Sequence, residues 1–302
     1  MEKGLISVDL SDLRKRHELL GHKSVNFKLP TVIRVNTLRI REDVLVERLK
    51  KSKVVLKKIP YLKFAYSAKS SFSLGAIPEY LLGYFYLQEA ASQAAVEVLN
   101  PEPGEAVLDC CAAPGGKTTQ IAQLMENKGL VVAFDNKSRR ILSLKSNLER
   151  CNVQNAAVFL RDITHTSNEF GNFDKILIDA PCSGNYVVDP DWFDKTDINS
   201  IGRAAYRQYD IVQSVINNFA NKNTEIVYST CSLEPEENEF LIQRLIDDFN
   251  IRLLKVGVGL PALTNIFGKE LDKDIAKCAR FWPDVHRTQA FFIAKFKVGV
   301  RR

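Results

Sequence analysis

After Gly104 the sequence settles into a regular alternation of short apolar runs and longer stretches with helical spacing. The run "AVLDC" (106–110) leads into a helix from Gly115, "LVVAFD" (130–135) into "SRRILSLKSNLERC", and "AAVFLRD" (156–162) is followed by "DKILID" (174–179). A helix near 200–220, the run "EIVYST" and the helix "PEENEFLIQRLIDDF" continue the pattern, and "AFFIAKFKV" supplies a final strand. Strands separated by helices of about 10–15 residues fold as βαβ units around a parallel sheet. The expected fold class is therefore α/β, a Rossmann-like domain over residues 86–302. The helical stretch "YLQEAASQAAVEVL" precedes it and is stopped by "NPEPG" (100–104), with its two prolines and a glycine.

Upstream, "TVIRVNTL" (31–38) alternates apolar and polar residues as a half-buried strand does, "REDVLVERLKKS" follows with helical spacing, and "KVVLKKIP" reads as a further strand. These elements predict a small α+β domain over residues 1–85. Its charge is distinctive. Residues 1–85 hold 17 Lys/Arg against 8 Asp/Glu, a balance of +9, whereas the remainder holds 25 against 28, a balance of −3. A basic bias across a whole segment points to a polyanion such as nucleic-acid phosphate. Arg34, Arg39 and Arg41 are the expected phosphate contacts.

No run of eighteen apolar residues occurs, and "MEKGLISVDLSDLRKRHELL" lacks the basic, apolar, small-residue order of a leader, so the expected location is cytoplasmic and no membrane partner is expected. Six cysteines without even spacing read as reduced thiols. Cys110, Cys151 and Cys278 are expected to be buried packing residues.

The first strand of the alternation ends in "DCCAAPGGKTTQ", small residues that let backbone approach a ligand at a helix N-terminus. A P-loop would need glycine at Cys111, and G-x-G-x-x-G is absent. Asp135 ends the second strand 20 positions after Gly115, where a ribose ligand is expected, and Asp162 follows the third, placed to hold an adenine amine. A ribose and an adenine without a polyphosphate cradle point to S-adenosylmethionine.

Two further turns carry thiols: "DAPCSG" (179–184) and "YSTCS" (228–232). If their strands are neighbours, as is usual for such folds, Asp179, Cys182 and Cys231 converge beside the cofactor. Aminomethyltransferases place an aromatic where Cys182 stands. A thiol suits carbon methylation: adding it to C6 of cytosine makes C5 nucleophilic, and a carboxyl group at N3 assists. One cysteine attacks and a second helps release. The spacing does not say which. Zinc chemistry is disfavoured because no C-x-x-C occurs and His17, His22, His165 and His286 are unpaired in sequence, so no metal is expected.

The motifs "IRVNTLRI", "GYFYLQEAAS", "VLDCCAAPGGKT", "DAPCSG", "YSTCSLEPEENE" and "RFWPDVHRTQAFFIAK" together resemble the RNA cytosine-5 methyltransferases of the Sun/NOL/NSUN family, in that family's order. The resemblance implies a class I S-adenosylmethionine-dependent methyltransferase domain with a small N-terminal α+β domain. It implies that Cys111, Ala112, Ala113, Pro114, Gly115, Gly116, Lys117, Asp135, Arg140, Asp162 and Asp179 contact the cofactor or the site around it. It also assigns attack to Cys231, release to Cys182, and contact with N3 and the exocyclic amine to Asp179. One departure stands out: "NYVVDPDW" lacks the pair of arginines the family commonly carries after "DAPCSG". The compact N-terminal segment is similar to that of the short archaeal-type tRNA enzymes. The expected partner is thus RNA, tRNA ahead of rRNA, bound by a monomer. The rival class is a noncatalytic RNA-binding or ribosome-assembly factor on the same scaffold.

Overall fold

The computed structural model describes residues 10–299. The first nine residues, the head of the stretch read above against a leader, lie outside the described residues. Helix α1 (Leu13–Leu19) is capped by Asp12, whose side chain accepts from the amides of Arg14 and Lys15. Strands β1 (Thr31–Val35), β2 (Val55–Lys58), β3 (Ala65–Lys69) and β4 (Phe85–Leu87) form an antiparallel sheet in the order β2-β3-β1-β4. Helix α2 (Glu42–Lys51) packs Leu45 and Leu49 against Ile33 and Val35, and the short α3 (Pro78–Leu81) precedes β4.

Two boundaries differ from the sequence reading. The small sheet extends to Leu87, and Tyr86 and Leu87 are strand rather than helix, because they pair with Arg34 and Ile33 of β1. Helix α4 (Ala90–Leu99) begins only after Glu89, whose carboxylate accepts from the amides of Ala91 and Ser92.

The second sheet is built from β5 (Ala106–Asp109), β6 (Leu130–Asp135), β7 (Ala156–Leu160), β8 (Lys175–Asp179) and β9 (Glu225–Thr230), parallel in the order β7-β6-β5-β8-β9. Helices α5 (Gly116–Leu124), α6 (Ser138–Arg150), α7 (Trp192–Lys195), α8 (Ile198–Asn218) and α9 (Glu239–Asp248) connect and cover it. The 3₁₀ turn Pro235–Glu237 precedes α9, so the helix proper begins later than the proline suggested. Strands β10 (Ile251–Leu254), β11 (Leu260–Pro261), the ribbon β12 (Asn265–Ile266) and β13 (Lys269–Glu270), β14 (Ala279–Phe281), helix α10 (Pro283–His286) and β15 (Phe291–Val298) complete the chain. β15 lies antiparallel to β9. Among the described residues no helix is long and apolar enough to cross a membrane.

The apolar strands bury both faces, as parallel strands covered by helices do: Val107, Leu108, Ile176, Leu177, Ile178, Ile226 and Val227 are essentially inaccessible. The chain leaves β5 toward β6 and β7, then crosses back to β8. This reversal between β5 and β8 opens a crevice at the carboxyl ends of the strands. Asp109, Asp135, Asp179 and Thr230 all end strands at that edge.

Candidate active site

The crevice holds a cavity of about 250 Å³ whose floor and walls include Cys111, Asp135, Asp162, Asp179, Cys182 and Cys231. The turn 110–115 passes below it. Gly115 stands at φ +108°, a backbone conformation that residues with a Cβ rarely adopt. Asp135 is buried, and its carboxylate accepts from the amides of Ala113 (3.3 Å) and Lys137 (3.0 Å) while pairing with Arg140 at 3.1 Å. Arg140 also donates to the Ala113 carbonyl, so one arginine ties the second strand's acid to the first strand's loop. Asp162 accepts from Thr164 and from Asn136 Nδ2 (2.7 Å). Burial alone would raise its pKa, but these donors together hold it below the ordinary carboxylate value.

At the other end of the cavity, Lys117 Nζ lies 2.6 Å from Asp179 Oδ2 and 2.8 Å from Ser92 Oγ, and Ser229 donates to Asp179 Oδ1 at 2.9 Å. The register Asp179↔Ser229 brings the two thiol turns together, since β8 and β9 are adjacent and parallel. Cys182 Sγ lies 2.7 Å from Cys231 Sγ, and the Cys231 amide donates to Cys182 Sγ at 3.3 Å. Hydrogen bonding to Cys231, together with burial, pushes the Cys182 thiol well above its ordinary pKa. Cys182 therefore stays protonated at neutral pH.

Behind the thiols sits Glu237, which is fully buried. Its Oε2 accepts from the Ser183 amide (3.0 Å) and Gln208 Nε2 (2.6 Å), and its Oε1 accepts from the hydroxyls of Ser232 (2.6 Å) and Ser183. One carboxylate thus joins the residue after Cys182 to the residue after Cys231. Asn185 adds a second tie, donating to the Cys231 carbonyl at 2.8 Å.

The model of the family described as 16S rRNA methyltransferase RsmB/F matches residues 96–297. The chain belongs to this family. Its motifs are those of the Sun/NOL/NSUN grouping, and its fold is that of class I S-adenosylmethionine-dependent methyltransferases. A 28S rRNA (cytosine-C(5))-methyltransferase of Mus musculus is 38% identical over 89% of this chain, and the chain spans 35% of that relative's length. A tRNA (cytosine(49)-C(5))-methyltransferase of Pyrococcus abyssi is 35% identical over 88% of this chain and 87% of the relative. A solved methyltransferase homolog from Pyrococcus horikoshii superposes with a TM-score of 0.84 at 40% identity, covering 94% of this chain and 90% of that one.

Within this RsmB/F fold, Cys111, Asp135, Arg140, Asp162, Asp179, Cys182 and Cys231 line one cavity, whereas Ala112 to Lys117 run from the adjoining turn into α5 and are not among its lining residues. The expected phosphate contacts do not share one environment. Arg34 is a correction: it is 1% exposed and cannot reach a phosphate. β1 is a central strand with both faces covered, by α2 on one side and by α4 and α5 on the other. The Arg34 guanidinium donates to the Gly116 carbonyl (2.7 Å), Thr119 Oγ1 (2.8 Å), Gln123 Oε1 (3.1 Å) and Gln88 Oε1. Burial lowers its pKa to about 10, so it remains charged and braces the first turn of α5. Arg39 and Arg41 are exposed; Arg39 donates to the Glu149 carbonyl and Arg41 pairs with Asp43.

Sequence reasoning missed Asp109, Glu237 and Gln208. Asp109 is fully buried beneath the loop, accepts from Thr118 Oγ1 at 2.8 Å, and has no hydrogen-bond partner for Oδ1 among the described residues. Burial raises its pKa to about 7. Asp109 was legible only as a strand end, and nothing in the spacing marks Gln208. Of the four histidines, His17 and His22 are buried and engage Glu234 and Asp284, each at 2.8 Å.

Proposed function

We propose that this chain is an RNA cytosine-5 methyltransferase that uses S-adenosylmethionine and attacks cytosine C6 with Cys231. The single observation that carries the reading is the pair of thiols 2.7 Å apart, next to the Lys117–Asp179 pair, at the mouth of a cavity lined by Asp135 and Asp162.

The lining fits the cofactor. Asp135 and Asp162 offer carboxylate acceptors suited to hydroxyls and an amine, and their charge repels a polyphosphate. Cys110, Cys111 and Arg140 line the space between them. Bound there, S-adenosylmethionine supplies an electrophilic methyl group.

The chain's own residues prepare the base. Cys231 adds to C6 as N3 takes up a proton, and Asp179, held by Lys117 and Ser229, accepts from N3–H and from the exocyclic amine, stabilising the protonated ring that draws electrons away from C6. After methylation the C5 proton passes to solvent water, the C5–H electron pair re-forms the C5–C6 double bond, and the Cys231–C6 bond breaks with its pair returning to the Cys231 sulfur. Cys182, kept protonated beside Cys231, is positioned to assist that release. A target cytosine within folded RNA must be turned out of its stack to reach this depth.

The substrate reading favours tRNA, since the Pyrococcus abyssi relative whose length this chain largely spans is named a tRNA enzyme. An rRNA substrate is the second reading, favoured by the names of the longer relatives. Residues 1–85 are read as an RNA-binding domain and 86–302 as the catalytic domain, with Arg39 and Arg41 as surface cations, in a cytoplasmic monomer without a metal.

Labelled cofactor with bulk tRNA and rRNA tests the activity, and mapping of the product identifies the base. Cys182→Ala is expected to accumulate a denaturant-resistant protein–RNA complex, while Cys231→Ala forms none. The opposite pattern would exchange the two roles, and labelling at any atom but C5 would end the proposal.

A further inference from the structure

We infer that the exposed face of α8 carrying Arg203 and Arg207 binds the phosphates flanking the target cytosine. The inference rests on the RNA reading above and adds to it a docking residue set that neither the motifs nor the relatives assign.

Helix α8 is locked against the thiol turn by Gln208, which is fully buried and donates both to the Pro181 carbonyl (2.9 Å) and to Glu237 (2.6 Å). That anchor fixes the neighbouring residue. Arg207 is exposed and lines the cavity alongside Pro181, Cys182 and Arg161. Among the described residues, no hydrogen bond or ion pair engages its guanidinium. Arg203 lies one turn earlier, is also exposed, and meets only the electrostatic influence of Asp197 at the helix start.

Two like charges at i and i+4 sit close together on a helix and repel each other. The pair is unfavourable for the helix on its own, and an anion between or above the guanidiniums removes the conflict. Phosphate is the anion that a base entering the adjacent cavity would bring with it, and arginine's planar fork suits it. Tyr206, 64% exposed and next to Arg207, adds an aromatic face for an unstacked base. Of the cations lining the cavity, Arg161 is paired with Glu169 and Arg140 with Asp135, which leaves Arg207 and Lys137 unpaired among the described residues, and of these two Arg207 is the one on the helix that Gln208 ties to the thiol turn. The placement also accounts for the loop 185–192, which has no arginine: cations are supplied from α8 instead.

The test measures binding of bulk tRNA by filter retention between about 50 and 200 mM salt, the range over which phosphate contacts are most visible. Each lost phosphate contact lowers the slope of log affinity against log salt by about 0.7–0.9. The double variant Arg203→Ala/Arg207→Ala is expected to lose about 1.4–1.8 from that slope, while Arg203→Lys/Arg207→Lys retains it. Calorimetric affinity for S-adenosylmethionine should stay unchanged in both. An unchanged slope in the alanine variant overturns the inference, as does a loss of cofactor affinity, which would place Arg207 in the cofactor site. Methyl transfer by the unaltered protein to the same tRNA is followed in parallel; its absence counts against the RNA-methylation reading, whatever the slopes.

Discussion

Glu237 offers a strong test of how the thiol pair is built. Replacing it with alanine removes the acceptor shared by the Ser183 amide, the Ser183 and Ser232 hydroxyls and the Gln208 amide. Some donors have a second choice. The serine hydroxyls lie 3.2 Å apart and can bond each other, and Gln208 keeps the Pro181 carbonyl. The Ser183 amide and half of the Gln208 amide are left buried and unmatched, at about 1–3 kcal/mol for each unsatisfied group. With the void left by the carboxylate, the expected loss of stability is about 3–4 kcal/mol. Glutamine should behave differently. Its carbonyl can take the place of Oε2, facing the two N–H donors, and its amide can donate to the serine hydroxyls, which rotate to accept. Glu237→Gln should therefore cost about 1 kcal/mol or less. The rates should separate in the same way. Ser183 and Ser232 each adjoin a cysteine of the thiol pair proposed to react, and a shift on the order of 1 Å there would cost about 100-fold in rate. Urea denaturation at neutral pH, single-turnover methyl transfer and cofactor calorimetry would measure the three quantities. Equal damage from alanine and glutamine, or an alanine variant with unaltered rate, would refute the clamp.

Arg34→Ala should destabilise the protein by about 2–4 kcal/mol, since four acceptors around the first turns of α5 lose a charged donor; because Arg34 is buried, the salt slope for RNA should not change, and a lower slope would return Arg34 to the phosphate surface. Asp109 titrates near 7 in the fold against about 3.9 in an unfolded chain, so between those values the folded state holds a proton the unfolded chain has released. Stability should consequently fall as pH rises through that window, by up to about 1.4 kcal/mol per pH unit, and level off above it. Asp109→Asn keeps an acceptor for Thr118 and should flatten the melting temperature between pH 5 and 8; parallel curves for the two proteins would refute the raised pKa.

The parallel sheet was legible because its strands are short, apolar and bounded by turn residues, and the cavity because Asp135, Asp162 and Asp179 each stand at or just beyond a strand end. Adjacency of the two thiols followed once β8 and β9 were neighbours. Other features depend on tertiary contact and leave little trace in local pattern. Tyr86 and Leu87 follow helical spacing toward α4, yet the free edge of β1 captures them as β4. Arg34 alternates with apolar residues as a surface residue would, but β1 is covered on both faces, so the alternation encodes two interfaces instead of one surface.

The glutamates of "LEPEENE" show why the electrostatics of a site cannot be inferred from the sign of nearby residues alone. By sign alone, Glu234, Glu236 and Glu237 oppose a thiolate at Cys231. In the fold Glu234 is matched by Arg16 and His17, Glu236 by Arg16, and Glu239 by Arg280. Each is a buried or partly buried pair whose net stabilisation is small but whose loss on one side is costly. Their value is positional: α1 is fastened to the turn from one side and β14 from the other. Glu237 alone faces the thiols without a cation, and burial raises its pKa as well. The turn carrying Cys231 is thus held by paired side chains on both sides, while the cavity face is left to Asp179 and the two sulfurs.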